Sequence, residues 1–175
     1  YAPASDVARA NRLAPGERLA VGPEAFACLA LAEEERRATG GAFDAAFATS
    51  PRRAPRTFAL DPVRREVRCR ARGLRLDLGG IGKGFALDRM AALLADWGIG
   101  AALLHAGQST ALALGAPPGR AGWRVGLRDP DGRPAPLAVV RLPPGTALSG
   151  SGRREHGAHI RDPRTGRAAR RPAPR

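Results

Sequence analysis

The alternation of apolar and polar positions divides the chain into two helical stretches and a series of short strands. Over residues 23 to about 39, apolar residues return at helical spacing, and Phe26, Leu29 and Ala30 share one face. Pro23 in the first turn, Glu24 near the positive helix end and the stop at Gly40-Gly41 mark its limits. A second helix runs to about Trp97 and stops at Gly98. Along it Ala86, Met90, Leu93, Leu94 and Trp97 recur at a spacing that predicts a buried face. Strand-like runs cover residues 57–60, 66–69, 74–78, 101–104, 110–114, 123–127 and 137–142. Asp61-Pro62 predicts a turn joining the first two runs as a hairpin, and the segment from Asp129 to Gly132 does the same for the last two. Residues 1–22 read as polar and turn-rich. A single domain is expected over residues 1–167, followed by a basic, disordered tail over 168–175. Strands joined by short turns beside helices predict an α+β protein, with antiparallel sheets and packed helices.

Composition narrows the picture. A chain of 175 residues with 43% hydrophobic content can bury a core, which excludes wholesale disorder. No run approaches the roughly 20 apolar residues of a membrane span, and no signal-peptide core is present. Cys28 and Cys69 have neither CxxC nor metal-ligand spacing. The formal charge is +13, and Lys83 is the sole lysine among 29 cationic residues. Such arginine use beside 22 Gly and 16 Pro fits the coding bias of a GC-rich genome, so basicity alone defines no function. The excess is nonetheless local: residues 52–75 carry net +7 and residues 153–175 net +6. Both stretches could attract phosphates or an acidic surface. Phe58 is their single aromatic residue, which argues against single-strand recognition and leaves nucleic acid out of the expected partners.

Candidate chemistry centres on Gly79-Gly80-Ile81-Gly82-Lys83-Gly84, between the third strand run and the second helix. A strand, a glycine turn and a helix can offer backbone N–H groups to an anion, and Lys83 adds a point charge. Gly84 stands where a Walker loop needs Ser or Thr, and the spacing is not that of a dinucleotide fingerprint. A tight connection that simply needs glycine explains the loop equally well. Asp77 and Asp88 flank it and could bring a bridging cation to a bound diphosphate. Asp44, in Gly40-Gly41-Ala42-Phe43-Asp44, either joins the site or caps the next turn. His159 precedes the turn Asp162-Pro163-Arg164-Thr165-Gly166 and is a candidate general base. Neither the zincin pattern nor a GxSxG elbow is present.

In order along the chain, SDVARAN from Ser5 to Asn11, TGGAFD from Thr39 to Asp44, LDLGGIGKGFALD from Leu76 to Asp88, WRVGLRDP from Trp123 and HIRDPRTG from His159 resemble the ApbE family of FAD:protein FMN transferases. The resemblance implies a T-fold-related architecture. It also implies Mg²⁺-dependent transfer of FMN from FAD to a threonine of an acceptor flavoprotein, with release of AMP. Ala42, Phe43 and Asp44 would then line the FAD site, and Asn11 would lie near flavin and metal. Gly79, Gly80 and Lys83 would hold the diphosphate side with Asp88 nearby, the Gly82 carbonyl would face Mg²⁺, and His159 would take the threonine proton. Two further activities fit such a relative: FAD or nucleotide binding without turnover, and hydrolysis of FAD to FMN and AMP.

The chain departs from the family pattern in several places. It begins inside the pattern, is short between Asp44 and Asp77, and ends before the segment whose Asp and Thr ligate Mg²⁺ in the family, which predicts weak Mg²⁺ binding. His105-Ala106-Gly107-Gln108 stands where Gly-Gly-Asp/Asn is usual, and Leu148-Ser149-Gly150 replaces Thr-Ser-Gly. Cytoplasm and cell envelope are both compatible locations.

Overall fold

The computed structural model describes residues 2–49, 56–129, 132–151 and 160–168. Its elements follow the order α1 (Asp6–Ala10), β1 (Arg18–Ala20), α2 (Pro23–Ala38), β2 (Phe58–Asp61), β3 (Glu66–Cys69), α3 (Gly82–Asp96), β4 (Ala102–Ala106), β5 (Thr110–Leu114), β6 (Trp123–Leu127), β7 (Ala138–Leu142) and β8 (Ala147–Ser149). The chain divides into two compact units, residues 1–82 with 158–175, and residues 83–157. The α+β expectation holds, since each strand pair is antiparallel.

In the first unit the sheet order is β1-β3-β2. The register pairs Phe58 with Cys69, and Val67 with both Leu60 and Leu19, so these side chains fall on one side of the sheet. That side packs with Ala10, Leu29, Leu74 and Leu76 into the core. The β2–β3 hairpin turns where expected. The Asp61 carboxylate accepts the Val63 and Arg64 amides at 3.0 and 3.1 Å. The Arg64 amide, assisted by the Val63 amide and the Arg64 guanidinium, holds the Asp61 carboxyl below its usual range. On α2, the buried Glu33 carboxylate is paired with Arg36 at 3.3 Å and with Arg56.

Three expectations are corrected in the described residues. Residues 1–22 contain α1 and β1, five and three residues long, too short to show a period. Residues 74–78 join no sheet, although Leu74 and Leu76 are buried as alternation requires. Their backbone partners are instead the Asn11 side chain, the Thr49 hydroxyl and the Ala45 carbonyl. Thus Asp77 follows a side-chain-clamped segment rather than a strand. On α3 the predicted buried face is largely exposed: Met90 is 47%, Leu93 57% and Trp97 78% accessible, and Leu87 is the helix's buried residue. Helical periodicity specifies an apolar face but not the partner that covers it.

The second unit contains the sheet β4-β5-β8 and the hairpin β6–β7. Ala111, Ala113 and Leu142 form its core, with Leu103, Trp123, Val125 and Leu148 packed around them. The three-residue strand β8 was not anticipated. Pro130 and Asp131 of the predicted β6–β7 turn lie outside the described residues. Gly115 follows β5 with φ +66°, and a Cβ there would meet the Gly100 carbonyl oxygen at 2.0 Å. Its own carbonyl accepts the Trp123 indole N–H at 3.1 Å. Gly115→Ala therefore combines a strained dihedral with a backbone collision, and is expected to cost about 2–4 kcal/mol. A urea transition with a lower midpoint and unchanged slope would show it; an unchanged midpoint would contradict it.

No helix among the described residues is long and apolar enough to cross a membrane.

Candidate functional site

The first unit gathers three of the sequence motifs. α2 is capped at its C-terminal end by Thr39, whose hydroxyl donates to the Glu35 carbonyl at 2.7 Å and accepts the Phe43 amide at 3.1 Å. Gly40 and Gly41 follow with φ +57° and +80°, left-handed values that favour glycine, and the Gly41 amide returns to the Arg36 carbonyl at 2.8 Å. The next turn is closed by Asp44 Oδ1, which accepts the Ala46 amide at 2.8 Å while Ala45 and Ala46 are buried. In the described residues Asp44 thus makes the turn-capping contact, and Ala42 and Phe43 ride on the loop that Thr39 shapes.

Phe43 faces the glycine cluster. A Cβ at Gly80 would lie 3.1 Å from Phe43 Cε2, so the missing side chain permits this approach. None of Gly79, Gly80, Gly82 and Gly84 has a left-handed φ, so backbone conformation does not demand glycine in this loop. The loop amides have internal acceptors: Gly79 N–H donates to Asp77 Oδ1 at 2.7 Å, and the Ile81 and Gly82 amides donate to the Leu78 carbonyl at 3.0 and 2.6 Å. A carboxylate oxygen on the Gly79 amide occupies the position that a phosphate oxygen would contest. α3 begins at Gly82, so the last glycines belong to its first turn rather than to a separate loop.

Asn11 closes the other side of this segment. Its Nδ2 donates to the Leu76 carbonyl at 3.0 Å and its Oδ1 accepts the Leu76 amide at 2.6 Å. One side-chain amide therefore substitutes for a neighbouring strand. Thr49 does the same for Arg75, accepting its amide at 2.8 Å.

The third motif is the turn after Ile160. Asp162 accepts the Arg164 amide at 2.9 Å and holds its guanidinium through contacts of 3.0 and 2.9 Å, while the Gly166 amide donates to the Asp162 carbonyl at 2.8 Å. A Cβ on Gly41 would stand 3.8 Å from Arg164 Cγ, which places this turn beside the Gly40-Gly41 bend. The Arg164 guanidinium, then its amide, lowers the Asp162 pKa, and Asp162 in turn raises that of Arg164. Because the folded pKa lies below the unfolded value, the pairing favours folding above about pH 4 and loses that effect as pH falls through the folded pKa. His159 lies outside the described residues.

Lys83 and Asp88 belong to the second unit. Lys83 Nζ donates to the Ser109 hydroxyl, and Asp88 is exposed on α3. Ser109, in the β4–β5 turn, was not singled out in the sequence; only the strand register brings it to notice, through the Gly150 amide that donates to its carbonyl at 2.8 Å. Among the described residues no three His, Cys, Asp or Glu side chains form a cluster able to hold a metal. Asp44 and Asp77 each accept a backbone amide. The described donor set does not make an all-protein Mg²⁺ site.

Mixed helices and antiparallel sheets define a fold shared with solved ApbE flavin transferases. The chain belongs to the ApbE family, whose model matches residues 1–173. It is 38% identical over 125 residues to an FAD:protein FMN transferase of Rhodobacter capsulatus, covering 67% of this chain and 23% of that protein. The crystal structure of the ApbE protein of Thermotoga maritima aligns with a TM-score of 0.77 at 25% identity, over 95% of this chain and 63% of that one. The apo flavinyl transferase ApbE of Pseudomonas stutzeri aligns at 0.73 and 22% identity, over 96% of this chain and 60% of that one. The chain thus spans under a quarter of the curated relative and about three fifths of the solved ones.

Proposed function

We propose that this chain binds FAD as substrate and transfers its FMN half to a threonine of an acceptor flavoprotein, releasing AMP. The observation that carries the reading is the meeting of Phe43 with Gly80, and of Gly41 with Arg164, in a chain of the ApbE family. It is supported by the relative that bears the name FAD:protein FMN transferase. In the reaction the threonine Oγ bonds to the FMN phosphorus, and the bond between that phosphorus and the bridging oxygen breaks. AMP leaves with the bridging oxygen, and the threonine proton passes to a base. His159 is assigned that proton. Asn11 and Thr39 act earlier: their hydrogen bonds set the Leu76 backbone and the Phe43 loop before substrate arrives. Mg²⁺ is proposed as a companion of the substrate's diphosphate, where it would offset phosphate charge.

Equilibrium titration of FAD, followed by flavin fluorescence, tests the substrate half of this reading. Gly80→Val places a branched side chain against Phe43 without demanding a forbidden φ. It is expected to weaken FAD binding about tenfold or more, while thermal stability falls by about 1–3 kcal/mol from local overpacking. Unchanged FAD affinity would remove the Phe43–Gly80 contact from the site.

A further inference from the structure

The outward side of the first unit's sheet carries charge that the fold leaves uncompensated. Along β3 and the residues after it, Val67 and Cys69 are fully buried, whereas Arg68, Arg70 and Arg72 are exposed. Arg68 and Arg70 share one side, roughly 7 Å apart, and Arg72 follows in the turn after them. The Arg70 amide donates to the Thr57 carbonyl at 2.8 Å, which continues the pairing past the strand end. Arg18 of β1 stands directly opposite Arg68, a like-charge juxtaposition that costs stability. Glu66 lies 3.9 Å from Arg18, and Asp61 lies 3.4 Å from Arg64. Arg65, Arg68, Arg70 and Arg72 have no ion-pair partner among the described residues.

Three further features select the kind of partner. The small residues Ala20 and Ala59 adjoin the arginines, so the face lacks the aromatic and Met anchors of a protein interface. Phe58 is 2% exposed and packed in the core, so it provides no base-stacking platform. At the end of the β2–β3 hairpin, Val63 is 90% exposed among exposed Pro62, Arg64 and Arg65.

We propose that this face docks on an anionic lipid bilayer. A fluid surface can bring its phosphates to a fixed arginine row, and the row needs no shaped partner. Val63 enters the interfacial layer while Arg64 and Arg65 remain at headgroup level. Each arginine near such a surface is worth about fivefold in affinity, so three together are worth on the order of a hundredfold.

Co-sedimentation of the full chain with vesicles tests this, using phosphatidylcholine with about one third phosphatidylglycerol at about 0.1 M salt. Binding is expected to these vesicles and not to phosphatidylcholine alone. Combined Arg68→Glu, Arg70→Glu and Arg72→Glu should weaken it about a hundredfold or more. Combined Arg120→Glu, Arg124→Glu and Arg141→Glu, exposed residues of the second unit, make the same change in net charge and should weaken it far less. Val63→Asp should weaken it several-fold with the fold intact by circular dichroism, and triple Gln variants at the same arginines repeat the test without charge reversal. Equal losses in both triple variants, or no binding by the unaltered chain, would overturn the proposal. Tighter binding to a single-stranded oligonucleotide than to the vesicles would overturn it in favour of nucleic acid.

Discussion

Asn11→Ala is expected to lower the unfolding free energy by about 2–6 kcal/mol, because each of the two Leu76 backbone groups it leaves unpaired costs about 1–3 kcal/mol. Leu76 is 3% exposed, so water cannot readily replace the lost partner. An exposed polar residue of similar size would cost no more than about 0.5 kcal/mol. Asn11→Asp keeps an acceptor for the Leu76 amide but sets a carboxylate against the Leu76 carbonyl, so it should recover little of the loss. Chemical denaturation of the three proteins measures the difference directly. The clamp also fixes the backbone two residues before Leu78, whose carbonyl holds the Ile81 and Gly82 amides. FAD affinity should therefore fall in Asn11→Ala through disorder of the loop. Intact stability with abolished FAD binding would instead make Asn11 a direct ligand contact.

His159→Ala is expected to slow FMN transfer by about 10²–10⁴-fold, the usual range for removing a positioned acid–base group. A threonine hydroxyl is a weak nucleophile near neutral pH, whereas neutral imidazole can accept its proton as the phosphorus–oxygen bond forms. FAD affinity should change by less than about threefold, since the role assigned is to a proton rather than to a contact. A general base acts only when unprotonated, so in the unaltered chain the rate should rise with pH. The variant should lose that limb of the profile. Equal losses in binding and transfer would make His159 part of the binding surface.

The legible parts of the fold were those in which periodicity and turn chemistry agree. α2 carries proline at its start and two glycines after its end, and the β2–β3 hairpin has Asp61-Pro62 at its turn. Both formed close to their expected limits. Residues 74–78 show why alternation alone is insufficient: it correctly implied burial of Leu74 and Leu76, but a side chain supplies hydrogen bonds that a strand was expected to provide. That side chain comes from 65 positions away, a distance at which local patterns are silent. α1, β1 and β8 are too short to show a period, and α3 advertised a face without its cover. The motifs of the candidate site were readable because they are dense in Gly, Asp and Pro. Their contacts were not, since the approach of Phe43 to Gly80 and of Arg164 to Gly41 depends on tertiary packing.

FMN transfer differs from hydrolysis or mere binding in which bond FAD loses and where its FMN half goes. The most direct measurement incubates the chain with FAD, Mg²⁺ and a flavin-free acceptor flavoprotein, then counts both AMP released and fluorescent flavin retained by the denatured acceptor. FMN transfer predicts equal amounts, with acceptor labelling abolished when its target threonine becomes alanine. AMP released without labelled acceptor, or FAD bound with neither product, would contradict it.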